Sequence, residues 1–182
     1  MKLENKNIAI LATDGFEESE LFLPMKALQD AGAHVDIVSI KEGDIKAWKK
    51  NDWGKSIHVD SIVKNAKSTS FDALMIPGGV MNPDKLRNDK DAVAFVKSFM
   101  KDKKPIASIC HGPQVLIEAG ITKGKTLTSW ASLKTDLTNS GAHWVDREVV
   151  VDGNLVTSRC PEDIPAFNEK MIEQFAATPN HK

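Results

Sequence analysis

The sequence has 182 residues, a formal net charge of −1 at pH 7 and two cysteines. That length suffices for one domain over residues 1–182, with a core over about 7–176 and a frayed tail at 178–182. The balanced charge argues against direct nucleic-acid binding, and the lack of an apolar run near ~20 residues argues against a membrane span. The polar start argues against a signal peptide, and two cysteines are too few for a disulfide framework. We therefore expect a cytoplasmic protein.

The first 60 residues predict a strand, a helix, a second strand and a hairpin. The pattern places a buried strand at 8–12, a helix at about 17–31, a strand at 35–40 and a hairpin within 41–60 whose second arm is 56–59. The hairpin segment is polar but contains Trp48 and Trp53. It is either a solvated rim or a contact between subunits.

The rest of the chain continues to alternate strands with helices. Strands are predicted at 71–76, 106–109, 125–130, 144–145, 148–151 and 155–158, helices at 89–101, 114–120, 131–140 and 164–176, and a loop at 80–88. This alternation predicts a three-layer α/β sandwich with a mostly parallel sheet. Ligands in such folds bind at the carboxyl ends of the strands.

Cys110 lies at a tight turn between a predicted strand and a helix. Ser108 and Gly112, two residues to either side, are small, as a sharp elbow requires. The free amides and the positive dipole at the start of the next helix favour the thiolate. The alternative is a buried structural cysteine.

Acidic residues open the first helix. Glu17, Glu18 and Glu20 are ordinary partners of a helix dipole, but Glu17 and Glu20 share a face with apolar residues. An inward carboxyl at this end of the sheet needs a partner, and Cys110 is available. A protonated Glu20 would donate to the thiolate.

Two other features follow strands at the same end of the sheet. Gly78-Gly79 is either an ordinary turn or a source of amides that, with the His111 amide, hold an oxyanion. His111 is either a proton shuttle or a histidine packed at a subunit boundary. Cys160 is interpreted as packing, and the remaining histidines lack the spacing of a metal site.

Several motifs resemble the PfpI-type intracellular peptidase/deglycase family, from about residue 7 to residue 175. They are Glu17-Glu18-Ser19-Glu20, Pro77-Gly78-Gly79, Ala107-Ser108-Ile109-Cys110-His111-Gly112-Pro113, and the segments 149–153 and 156–159. The resemblance implies a flavodoxin-like sandwich, similar to class I glutamine amidotransferases, that assembles as dimers or higher rings. An amidotransferase would need a later His-x-Glu pair, which residues 143–145 do not supply.

The resemblance also implies roles for individual residues. Cys110 matches the nucleophile, Glu20 the acid that hydrogen-bonds it, Gly78 and Gly79 the oxyanion hole, and His111 the following histidine. Asp84 is the match for an acidic residue that orients the histidine of a neighbouring subunit, and Glu17 is expected at the substrate. Trp130 stands where relatives carry Tyr or His, and an indole cannot shuttle protons.

Three functional hypotheses follow. The first is a cofactor-free, metal-free enzyme in which Cys110 attacks a small glyoxal, or a glyoxal adduct of a protein or nucleotide. The second is an oligomeric cysteine peptidase in which His111 is the base and Asp84 of another subunit orients it. The third is a redox-sensing or chaperone protein whose Cys110 is oxidised to a sulfinate.

Overall fold

A computed structural model describes residues 2–177, so the predicted frayed tail at 178–182 lies outside the described residues. Strands and helices alternate along most of this range. The strands are β1 (Asn7–Leu11), β2 (His34–Ser39), β3 (Asp44–Lys49), β4 (Asp52–His58), β5 (Ser61–Ile62), β6 (Ala73–Ile76), β7 (Ile106–Ile109), β8 (Thr126–Leu127), β9 (His143–Trp144), β10 (Val149–Asp152) and β11 (Leu155–Ser158). The α-helices are α1 (Glu18–Asp30), α2 (Met81–Arg87), α3 (Lys90–Lys101), α4 (Pro113–Glu118), α5 (Lys134–Asn139) and α6 (Ile164–Ala177).

Seven of the strands within residues 2–177 form the central sheet, in the order β10-β11-β7-β6-β1-β2-β5. All neighbours pair in parallel except β10 and β11, which form an antiparallel hairpin around Asp152-Gly153. The order reverses direction between β1 and β6, which is where ligands bind in doubly wound sheets. The predicted α/β, flavodoxin-like architecture is therefore confirmed.

Helices cover both faces of the sheet. Along β1, Ile8 and Ile10 join the cluster packed against α1 and α6, whereas Ala9 and Leu11 join the cluster packed against α2, α3, α4 and α5. A strand that is buried on both faces consists of a continuous run of apolar residues, and this run is what predicts β1 in the sequence. Within residues 2–177, no helix has both the length and the hydropathy that a membrane span requires.

The loop predicted over 80–88 is wrong, because α2 occupies residues 81–87. Pro83 does not prevent this helix, because proline is tolerated in the first turn, where its missing N–H has no partner to lose. Asn82, Pro83 and Leu86 are buried on the inner face of this helix.

The predicted hairpin is confirmed as β3 and β4, although its second arm begins earlier, at Asp52. It is attached to the loop before α1 by backbone bonds from Trp48 N to Phe16 O (2.7 Å) and from Gly15 N to Lys46 O (2.8 Å). The hairpin therefore leans over the carboxyl ends of the strands rather than extending the sheet.

Candidate active site

The turn after β7 holds Cys110 in a strained conformation. Its φ of +62° lies in the left-handed region that residues with a side chain rarely adopt. Backbone bonds on both sides maintain it, from Cys110 N to Ser158 O (3.0 Å) and from Trp130 N to Cys110 O (2.9 Å). A Cβ at Gly112 would collide with the Ser108 hydroxyl, so the elbow needs the small residues the sequence indicated.

Glu20 is completely buried beside this elbow. Its Oε2 accepts a hydrogen bond from Gly78 N at 2.8 Å. Its Oε1 has no hydrogen bond of regular geometry, although the Cys110 thiol interacts with the carboxyl group closely enough to affect its pKa. A Cβ at Gly78 would lie 2.5 Å from Glu20 Oε2 and 2.7 Å from the Cβ of Cys110, so the acid and the thiol face each other across this glycine.

Burial governs the protonation of Glu20. Loss of hydration raises the pKa of Glu20 to about 8, although interactions with the Cys110 thiol and the Gly78 amide favour the charged form. The negative charges of Glu17 and Glu162 also contribute to this raised pKa. Glu20 is therefore mostly protonated at neutral pH, as a donor to a thiolate would be.

The pKa of the Cys110 thiol is not lowered, although the dipole of the following helix alone would lower it. Burial and the neighbouring charge of Glu20 raise its pKa, because α4 has only six residues and its start cannot outweigh the loss of hydration. The backbone N–H groups of Gly79 and His111 hydrogen-bond to the sulfur and favour the thiolate. The thiol and the carboxyl each affect the pKa of the other.

The backbone amides around the sulfur have different partners. The Gly79 and His111 N–H groups converge on the sulfur. The Gly78 amide, by contrast, is already engaged by Glu20. Gly79 adopts a φ of +81°, and a Cβ there would lie 2.5 Å from Gly15 O, so this turn requires glycine. The Gly78 N–H thus binds the acid, while the Gly79 N–H is directed at the sulfur.

His111 contacts the thiol directly. Its Nδ1 lies 3.3 Å from Cys110 Sγ, and its ring stacks on Trp130 with a centroid distance of 5.8 Å and an interplanar angle of 24°. Burial lowers the pKa of His111, so the imidazole is neutral at pH 7. Trp130 orients this ring and supplies no proton transfer of its own.

A cavity of about 570 Å³ opens above the sulfur. The lining combines aromatic, acidic and apolar side chains with glycine backbone. It consists of Gly15, Glu17, Glu20, Trp48, Gly79, Val80, Met81, Cys110, His111, Trp130, Pro161 and Glu162. Such a concave, mostly apolar space with a few convergent polar groups is typical of a small-molecule site. No group of three or more metal-ligating side chains occurs within residues 2–177.

Asp84 and Cys160 do not line this cavity. Asp84 is exposed on α2 and lines a separate surface depression with Lys85 and Glu118. Cys160 is half-buried, and burial together with Glu162 raises its pKa to about 11, so it remains a thiol. Of the residues proposed from the sequence, the structure brings together Cys110 and its neighbours but not Asp84 of the same chain.

The model of the DJ-1/PfpI family matches residues 6–174, which is nearly the whole chain. This chain belongs to the DJ-1/PfpI family. The resemblance drawn from the elbow and the acidic helix start is therefore confirmed.

Individual members of the DJ-1/PfpI family align over most of their length. General stress protein 18 of Bacillus subtilis is 45% identical over 168 residues, which is 92% of this chain and 96% of that protein. Protein/nucleic acid deglycase 2 of Escherichia coli is 40% identical over 174 residues, covering 95% and 99% of the two chains. The crystal structure of Drosophila melanogaster DJ-1beta superposes with a TM-score of 0.84 at 30% identity, covering 95% of this chain and 91% of that one.

Sequence reasoning missed three residues that build the site of this DJ-1/PfpI protein. Buried Asn82 accepts a bond from Thr13 N (2.7 Å) and donates to Pro77 O (3.0 Å), which ties the ends of β1 and β6 together. Trp48 forms a wall of the cavity, and Glu162 contributes a carboxylate to it. Only the unusual tryptophan in a polar segment gave any signal in the sequence.

Proposed function

We propose that this protein is a cysteine-dependent enzyme that needs no cofactor and acts on glyoxals or their adducts with amines. The observation that carries the proposal is the buried carboxyl of Glu20 facing Cys110 across Gly78, with two amides directed at the sulfur. The name of the related E. coli deglycase supports the same class of chemistry. A buried acid whose pKa lies near 8 is suited to accept and return a proton at cellular pH.

The reaction begins at the sulfur. Glu20, when ionised, takes the thiol proton as Cys110 Sγ forms a bond to the aldehyde carbon of a glyoxal. The carbonyl π electrons move onto oxygen, and the amides of Gly79 and His111 stabilise the resulting oxyanion. Glu20 then gives the thiol proton to this oxygen, which forms the hemithioacetal and leaves the carboxylate ionised again.

The carboxyl then moves a proton between adjacent carbons. Glu20 removes the proton from the carbon bonded to sulfur, which gives an enediol, and a proton returns to the neighbouring carbon to leave a thioester. Water attacks the thioester carbonyl, the C–S bond breaks and a 2-hydroxy acid is released with the thiol restored. The net change is an internal oxidation and reduction plus one water, so no external redox partner is needed.

The test is consumption of methylglyoxal by the purified protein. We expect turnover without added cofactor, its loss in Cys110→Ala, and kcat/KM that rises with pH through an apparent pKa of about 8. Glu20→Gln should lower the rate by about 100-fold or more and remove this pH dependence, since positioned general bases contribute about 100- to 10,000-fold. Cys160→Ala is the matched control and should retain full activity.

Equal activity of the native protein, Cys110→Ala and Glu20→Gln would refute the proposal. If turnover requires Cys110 but does not depend on pH in this way, Glu20 is not the base, and Cys110 remains the proposed nucleophile.

A second candidate, a peptidase, is favoured by the 3.3 Å contact between Cys110 Sγ and His111 Nδ1. A Cys-His pair is the activation device of cysteine peptidases. In that case we propose that the chain self-associates and that exposed Asp84 of one copy orients His111 of another. His111→Ala should then abolish cleavage of unfolded casein, and Asp84→Ala should reduce it only in the assembled protein. The same two variants should keep most of any methylglyoxal turnover if Glu20 is the base.

A further inference from the structure

The buried amide of Asn82 lies behind the backbone that supplies N–H groups to the candidate active site. Asn82 is completely buried near the start of α2. Its Oδ1 accepts the backbone N–H of Thr13 at 2.7 Å, which fixes the orientation of the amide. The NH2 group donates to Pro77 O at 3.0 Å and to Gly78 O at 3.3 Å. One side chain therefore holds two successive backbone carbonyls.

These two carbonyls belong to the peptide units whose N–H groups face the acid and the thiol. Both units are trans, so in each of them the C=O and the N–H point in opposite directions. The unit that begins with Pro77 O ends in the Gly78 N–H, which donates to Glu20 Oε2 at 2.8 Å. The unit that begins with Gly78 O ends in the Gly79 N–H, which bonds the Cys110 sulfur. The same NH2 group thus holds the carbonyl side of both units, while the acid and the thiol occupy the N–H side.

A pair of glycines needs such support. Rotation of the peptide unit between Gly78 and Gly79 would turn its N–H away from the sulfur, and glycine opposes such a rotation less than other residues do. The support has to act on the carbonyl side, because the N–H side must stay open to the sulfur and to a substrate oxygen. Two donors act there on Gly78 O, the Asn82 NH2 group and the Glu17 N–H, both at 3.3 Å. The shorter bond, at 3.0 Å, is the one from Asn82 to Pro77 O.

We propose that Asn82 is a positioning residue: its NH2 group holds two backbone carbonyls and so directs the N–H groups of Gly78 and Gly79 at the acid and the sulfur. As a statement about catalysis, this rests on the proposed function, in which the Gly79 amide also stabilises the oxyanion. As a statement about the resting protein it stands alone, because the same amide bonds the Cys110 sulfur before any substrate is present. Loss of the NH2 group should therefore lower the reactivity of the thiol as well as turnover.

The first experiment measures the reactivity of the thiol without the proposed reaction. All proteins carry Cys160→Ala, so that iodoacetamide alkylates Cys110 alone, and the rate at neutral pH is followed by mass spectrometry. Asn82→Asp keeps an oxygen for the Thr13 N–H but lacks the NH2 group, and Asn82→Ala lacks the NH2 group without adding a charge. We expect both to slow alkylation by at least about tenfold, as for loss of one hydrogen bond to a charged group.

Lys104→Met is the matched control. Lys104 is also buried and also donates to two backbone carbonyls, Ser68 O and Phe71 O. It precedes β7, whereas Cys110 follows that strand, so the control removes similar bonds at the opposite end of the sheet. Alkylation should be as fast in Lys104→Met as in the parent protein. Unchanged alkylation in both Asn82 variants, or an equal loss in the control, would overturn the inference.

A measurement on the native protein does not depend on how well the variants fold. The two Nδ2 protons of Asn82 should exchange with solvent at least about tenfold more slowly than those of Asn88, which is exposed at the other end of α2. Equal exchange rates, followed by NMR, would show that the NH2 group is not held by the two carbonyls and would refute the positioning role.

Turnover of methylglyoxal supplies the catalytic measurement. Asn82→Ala should lower kcat by about 100-fold with little change in KM, as for loss of one oxyanion-hole donor, and Lys104→Met should keep both constants. A loss confined to KM would contradict a role at the oxyanion. If the parent protein does not turn over methylglyoxal but the Asn82 variants still slow alkylation, the proposed function fails and the positioning role stands.

Discussion

The buried carboxyl of Glu20 should make the protein less stable as the pH rises. In the folded protein the pKa of Glu20 is raised to about 8, whereas in the unfolded chain it returns to its ordinary value of 4.5. Between these values the unfolded chain releases a proton that the folded protein keeps. The stabilising contribution of the neutral carboxyl is therefore complete below about pH 4.5 and is lost progressively as the pH rises to about 8. Glu20→Gln removes this titration but keeps an oxygen that can accept from Gly78 N.

The size of the effect follows from the span of pH. Each unit in which only the unfolded state is ionised changes the free energy of unfolding by about 1.4 kcal/mol. From pH 5 to pH 7.5, the native protein should therefore lose about 3 kcal/mol more stability than Glu20→Gln. Other groups, such as His111 with its lowered pKa, titrate in both proteins and cancel in the difference.

The assay is urea unfolding of both proteins at several pH values within this range, with Glu169→Gln as a control for loss of an exposed carboxylate. The control should follow the native protein. Parallel curves for the native protein and Glu20→Gln would mean that Glu20 is ionised in the folded state, and the assignment of this residue as a protonated partner of the thiol would fail.

Three other substitutions test the supports of the site. Gly78→Ala places a Cβ 2.5 Å from Glu20 Oε2 and should reduce methylglyoxal turnover by about 100-fold. The control is Gly124→Ala, whose Cβ meets nothing within 4 Å and which should leave activity intact. Equal losses of activity in the two variants would mean that the position of Glu20 does not limit turnover. Asn82→Ala strands the buried Thr13 N–H and should lower the free energy of unfolding by about 3 kcal/mol in urea; a change under about 1 kcal/mol would mean that water replaces the amide. Lys104→Met removes the ammonium that donates to Ser68 O and Phe71 O, both at 2.7 Å, and should cost about 2 kcal/mol, whereas an unchanged urea midpoint would show that those carbonyls find other donors.

Features encoded by neighbouring residues were predictable from the sequence. The elbow at Cys110 depends on the small residues Ser108 and Gly112, which lie within two positions of it. The inward direction of Glu20 follows from helical periodicity, because it lies on the face of α1 that also buries Leu21 and Leu28. In both cases the local pattern and the final packing agree.

Features that depend on distant residues were not predictable in the same way. Asn82 binds a backbone N–H 69 positions away, and nothing near it in the sequence indicates that partner. The Gly78 amide could serve an oxyanion or a carboxylate, and only the position of Glu20, 58 residues away, decides between them. The wall formed by Trp48 likewise depends on the backbone bond that joins this residue to Phe16.

The hairpin of β3 and β4 is inserted between β2 and β5, two strands that pair directly with each other. Changes in the length of its turn therefore leave the strand pairing of the central sheet intact, although Ile45 and Ala47 are fully buried in the core. One wall of the candidate active site, Trp48, consequently belongs to a segment outside that sheet, whereas Cys110 directly follows β7, one of its inner strands.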